Sequence, residues 1–187
     1  MGTDSHIFVE KRVGDRWISA AEKHKNPMAK WKHEPEYEVD TVDIGRNYQL
    51  FTILAGVRAS EKEELIPISS PRGLPADMSP EVAAMAARDG DTLGASWLNL
   101  SELVEYNSLG FTVTQTYRCP VEVAEQFIET GQLPLEYQRY SPDDLNPNWT
   151  TVELEEPVGE ATMLNELIDR LRQFGTPEEI RIVFWFD

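Results

Sequence analysis

The chain has 187 residues, 41% of them hydrophobic, and a single cysteine, enough to bury a core without staples and too few thiols for an intramolecular disulfide. Its formal net charge of −16 argues against general binding to nucleic acid or to an anionic membrane. No apolar run approaches the roughly 18 residues of a membrane span, and the opening "MGTDSHIFVE" lacks the basic and apolar regions of a signal peptide, so a cytoplasmic protein of one domain spanning residues 1–187 is expected.

The first strong pattern along the chain is His6-Ile7-Phe8-Val9 followed by Trp17-Ile18, two β-prone runs around Val13-Gly14-Asp15-Arg16 that predict an N-terminal hairpin. Residues 21–44 have no period and hold two prolines, with Lys23, Lys25, Lys30 and Lys32 clustered about Trp31; they read as an extended basic loop. In "DIGRNYQLFTILAGVR" Leu50, Ile53, Leu54 and Val57 recur at helical spacing. "PISSPRGLPADMS" is proline-bracketed loop, and Ser79 with Pro80 forms an N-cap and first helical position ahead of "EVAAMAAR". "ASWLNLSELVEYN" reads as a short strand feeding a helix, with Asn99 and Glu102 at capping-box spacing.

"FTVTQTYR" alternates as a strand, and "PVEVAEQFIETG" is a helix opened at Pro120 and closed by Gly131. A Pro-rich loop at 132–149 leads to "TTVELEE", a further strand. "ATMLNELIDRLRQFG" carries Met163, Leu164, Leu167, Ile168, Leu171 and Phe174 as one apolar stripe stopped by Gly175, and "IRIVFWF" is apolar enough for a strand covered on both faces. The fold class is α+β, a mixed or antiparallel sheet with helices packed on it.

Charge is divided unevenly. Residues 1–72 carry 11 Lys and Arg against 12 Asp and Glu, and residues 73–187 carry 6 against 21. A cationic pocket is therefore to be sought in the first part. Continuing the helix of "DIGRNYQLFTILAGVR" back to Arg46 at 100° per residue aims that side chain at the apolar arc while Tyr48 points away. A guanidinium directed inward needs a partner, either Asp40 or Asp43 or the anion of a ligand held beside the helix N-terminus. In "SPRGLP" the amides of Arg72 and Gly73 have no obvious partner, and Arg72 offers a fork for an oxyanion. Arg58, Lys25, Lys30 and Lys32 would complete a positive basin, and Tyr48, Trp31 or Trp97 could stack on a base.

Among metal-capable groups only Asp4 and His6 stand close in sequence, while His24 and His33 show no ligand spacing. Cys119, before Pro120, reads as a buried structural thiol. Glu122, Glu125 and Glu129 form an acidic helix face, either plainly solvated or an imitation of a phosphate backbone. No nucleophile elbow, phosphate loop, dinucleotide fingerprint or zinc-protease motif occurs, and no cofactor is expected.

The ordered segments "MGTDSHIFVE", "GRNYQLFTILAGVR", "PRGLPADMSPEV", "SWLNLSEL" and "VFWFD" resemble a group of uncharacterised proteins of bacteriophages and bacteria. Relative to that group, Thr3 stands where many members look to have Cys, and Leu93-Gly94-Ala95 where they have a His-rich step. The matching positions include His6, Arg46, Asn47, Tyr48, Arg58, Arg72, Gly73, Ser96 and Trp97. The resemblance implies phage origin and action in a host cytoplasm, in the manner of counter-defence factors that sequester nucleotide signals. The expectation is a non-enzymatic, homo-oligomeric protein that captures a small phosphorylated or nucleotide-like ligand. The alternatives are an acidic inhibitor of a nucleic-acid-binding host protein and a metal-dependent hydrolase.

Overall fold

The computed structural model describes residues 3–58, 65–139 and 145–187. A hairpin of β1 (Ser5–Val13) and β2 (Arg16–Ser19) opens the chain, followed by a small antiparallel pair, β3 (Lys23–Lys25) and β4 (Tyr37–Val39). Then come α1 (Tyr48–Ala55), α2 (Pro80–Asp89), β5 (Leu93–Asn99) and α3 (Leu100–Ser108). The last part holds β6 (Thr112–Pro120), α4 (Val121–Thr130), β7 (Trp149–Pro157), α5 (Val158–Ala161), α6 (Leu164–Arg172) and β8 (Ile180–Phe186). The architecture is α+β with antiparallel sheets, and no helix among the described residues is long and apolar enough to cross a membrane.

The four-stranded sheet runs β2-β1-β8-β5, so the closing strand lies inside it, and all seven residues of β8 are buried. Alternation divides their work. Ile180, Ile182, Phe184 and Phe186 enter a core with Leu50, Phe51, Ile53 and Leu54 of α1, Leu103 of α3 and Leu167, Ile168 and Leu171 of α6. Val183 and Trp185 face the other way, onto Phe8, Val39 and the Val82, Met85 and Ala86 face of α2. On this second face Arg181 stands in register with Glu10 of β1 and Asn99 of β5. The β6–β7 ribbon is a separate pair on which α4 packs through Cys119, Ala124, Leu133 and Val152.

Three expectations need correction. The extended loop at 21–44 contains β3 and β4, whose three residues each are too short to show a period. The helix at 161–174 is broken: Met163 takes φ 58, so α5 ends before it and α6 starts after it, although Leu164, Leu167, Ile168 and Leu171 are buried as the stripe requires. A side chain in the left-handed region costs about 1–2 kcal/mol, and Met163→Gly is expected to raise stability in urea denaturation by up to about 1 kcal/mol once glycine's unfolded-state freedom is counted. A loss on that substitution would mean that Met163 packs more than it strains. The helix in the first third also starts later than Arg46, because Asn47 caps it by accepting the Leu50 amide at 2.8 Å. Of the Pro-rich loop at 132–149, residues 140–144 lie outside the described residues.

Candidate functional site

The late start of α1 decides where Arg46 goes. Lying before the cap, it does not follow the helical wheel; its side chain is 61% exposed and its Nε donates to Asp4 Oδ1 at 2.7 Å. The partner is thus neither Asp40 nor Asp43, and Arg46 is not directed inward. The bond holds the Asp4 carboxyl below its usual range. Asn47 is occupied as the cap, and Tyr48 is 41% exposed, off the buried face as expected. Arg58, at φ 60, donates to Thr3 Oγ1 at 2.7 Å and lies 5.8 Å from the Tyr48 ring centre. Lys30 and Lys32 are exposed beyond β3.

Arg72, Gly73, Ser96 and Trp97 form a second group. The Arg72 amide donates to the Ser96 hydroxyl at 3.1 Å and the Gly73 amide to the Ala95 carbonyl at 2.9 Å, so neither is left for a ligand. The Arg72 guanidinium forks onto Glu102 at 2.5 and 3.0 Å, donates to the Trp97 carbonyl, and lies 4.8 Å from the Trp97 ring centre. Arg46 lines a shallow cleft with Asp43, Gly45, Asn47 and Met163; Trp97 lines a different groove. The two arginines are engaged separately, Arg46 with Asp4 and Arg72 with Glu102. Of the metal-capable pair, Asp4 is held by Arg46, and His6 bonds Asp187 at 3.0 Å.

Glu102 ties its loop to the start of α3, accepting from the Asn99 amide at 2.9 Å as well as from Arg72. Burial alone would raise its pKa, but these donors win and hold it below the ordinary glutamate value. A carboxylate lowered in the folded state contributes stability above its unfolded pKa of about 4.3, and that contribution is lost as pH falls through the lowered value. Glu102→Gln is expected to cost about 1–2 kcal/mol at neutral pH and to flatten the acid limb of the stability curve. An acid limb identical to wild type would remove this role.

The groove beside Trp97 encloses about 400 Å³ and is lined by Arg12, Trp17, Asp77, Trp97, Asn99, Ser101, Glu178 and Arg181. Its floor is the second face of the sheet. Cross-strand register places Trp17 beside Arg12, Arg181 between Glu10 and Asn99, and Trp97 beside Val183. Arg181 is 3% exposed: its Nε donates to Glu10 Oε2 at 2.7 Å and its Nη1 to Asp77 at 2.9 Å, while Nη2 touches Glu10 without hydrogen-bond alignment. Glu10, fully buried, also accepts the Ser79 amide at the cap of α2. The Arg181 guanidinium carbon lies 4.2 Å from the Trp17 ring centre and 5.8 Å from that of Trp97. Arg72, Trp97, Arg181 and Trp17 thus form a row that alternates cation and indole.

Arg12 at the rim is different. It is exposed, bonds only the Gly14 carbonyl, at 3.3 Å, and has no ion-pair partner among the described residues. The groove therefore presents two indoles, a free guanidinium, and the carboxylates of Asp77 and Glu178. Of its lining the sequence marks only Trp97 for a ligand site, since Trp17 and Asn99 read as strand and helix cap. The missed signal is Arg181 itself, the one charge inside an otherwise apolar closing strand, with Glu10 as the charge ending an apolar run in β1. Comparison with protein-family models, with curated proteins and with solved structures finds no match to this chain.

Proposed function

We propose that this is a phage-type binding protein that captures a nucleotide-like ligand in the Trp17–Trp97 groove. One observation carries the reading: Arg12, a cation with no ion-pair partner among the described residues, stands at the rim of a cleft walled by two indoles. Indole faces stack on a base, at about 1–3 kcal/mol per base, and a guanidinium forks onto phosphate oxygens. Asp77 and Glu178 act on the other side of the ligand. Counting the buried Glu10, the groove's two cations face three carboxylates, which disfavours a bare polyanion and favours an amphoteric molecule with N–H donors at one end and phosphate at the other. A guanine nucleotide has that pattern, since its base presents adjacent donors to a carboxylate.

Native mass spectrometry of the purified protein, followed by titration of tryptophan fluorescence with guanosine and adenosine monophosphates, tests the proposal. A retained small molecule or saturable quenching, stronger for the guanine nucleotide and weaker for the free nucleoside, is the expected result. No retained mass and no quenching at millimolar nucleotide would overturn it.

A second reading has its own support. On the β6–β7 ribbon and α4, Glu122, Glu125, Glu129, Glu153 and Glu155 are exposed, and Ile128 stands 81% exposed among them. An acidic arm with an apolar centre suits a basic, nucleic-acid-binding protein partner. Capture of such a partner that weakens steeply with salt and is lost on Ile128→Asp would favour this arm as an interaction surface.

A further inference from the structure

The β3–β4 pair carries a feature that lies outside the groove. In an antiparallel ladder, directly opposed residues and those two apart share a face. His24 stands opposite Glu38, and the Asp40 amide bonds the Glu22 carbonyl at 3.1 Å, so Glu22, His24, Glu38 and Asp40 project from one face of the ribbon. Glu38 is taken by Arg88 at 2.8 Å. The other three turn toward one another: His24 Nε2 is 3.2 Å from Asp40 and 4.0 Å from Glu22, and one ligand atom from each lies within 4.8 Å of the others.

Two carboxylates are thus set side by side, and among the described residues neither has a Lys or Arg in ion-pair contact. Lys23, which alternates onto the opposite face, bonds Glu81 instead. We infer that Glu22, His24 and Asp40 bind one divalent first-row transition ion of the zinc class, clamping β3 to β4. One imidazole with two carboxylates suits zinc better than calcium or magnesium, which take oxygen ligands alone. Tetrahedral zinc needs its ligand atoms about 3.4 Å apart, from bond lengths near 2.1 Å. The exposed side chains reach that by a small contraction, with water in the fourth position. The ion would neutralise the opposed carboxylates and add a bridge between the two strands, beside the Lys23–Glu81 and Arg88–Glu38 pairs that tie them to α2.

The test is calorimetric titration of the untagged full chain with zinc chloride. One ion per chain is expected, with affinity at least about tenfold weaker in His24→Ala and in Asp40→Asn. His33→Ala, which removes an exposed histidine outside the trio, should bind within twofold of wild type. An excess of calcium should not displace the zinc. Absence of zinc binding, unchanged affinity in His24→Ala, or displacement by equimolar calcium would each overturn the proposal. The three side chains are exposed, so circular dichroism of the variants should match wild type, and a variant that loses both fold and zinc is replaced by Glu22→Gln, with the same expectation.

Discussion

Replacing Arg181 with alanine is expected to destabilise the protein by about 3–5 kcal/mol in urea denaturation. The reason lies in what the substitution leaves behind. Glu10 is fully buried, and among the described residues its carboxylate has, besides Arg181, only the Ser79 amide as a donor. A carboxylate stripped of its guanidinium in that site must stay charged without compensation or take up a proton, and each route costs folding free energy. The damage should spread to the cap of α2, because Glu10 holds the Ser79 amide there. Removing both charges is a different matter. A buried pair has already given up most of its Coulombic gain to desolvation, so Glu10→Leu with Arg181→Met should recover most of the loss. A single-variant cost below about 1 kcal/mol would show that the pair does not anchor the sheet to α2.

The same pair shows what could be read from the sequence. Hydrophobic periodicity revealed the sheet and most of its helices: the closing strand, the Ser79–Pro80 start of α2 and the Glu102 half of the capping box are where the pattern places them. These features depend on neighbours within a few residues. The groove depends on pairings far apart in sequence, Glu10 with Arg181 and Arg72 with Glu102, which are 171 and 30 residues apart. No local period announces such a contact. Arg46 went astray for a local reason, since treating it as helical missed that Asn47 is a better cap than a helix interior residue. The trio Glu22, His24 and Asp40 was hidden because its spacing is cross-strand, whereas ligand motifs are usually recognised along the chain.

Arg12→Ala is expected to weaken nucleotide binding by about 10- to 100-fold, corresponding to about 1.5–3 kcal/mol for a charge-assisted hydrogen bond. Arg46→Ala should leave it within twofold. The two residues make a clean comparison because both are exposed arginines, so neither substitution opens a cavity. They differ in what surrounds them: Arg46 is paired to Asp4, while Arg12 has no carboxylate partner among the described residues and stands beside Trp17. Trp17→Ala should cost a further 10- to 100-fold, about the value of one stacked base. It would also uncover Arg181, so its melting curve must be measured alongside. Arg181 is unsuited to this purpose, since losing it lowers stability whether or not a ligand exists. Phosphate contact predicts one more asymmetry. If Arg12 meets the phosphate, its loss should erase the preference for the monophosphate over the free nucleoside while the preference for guanine, assigned to Asp77 and Glu178, survives. If Arg46→Ala abolishes binding and Arg12→Ala does not, the ligand sits at the cleft before α1 and the groove is structural.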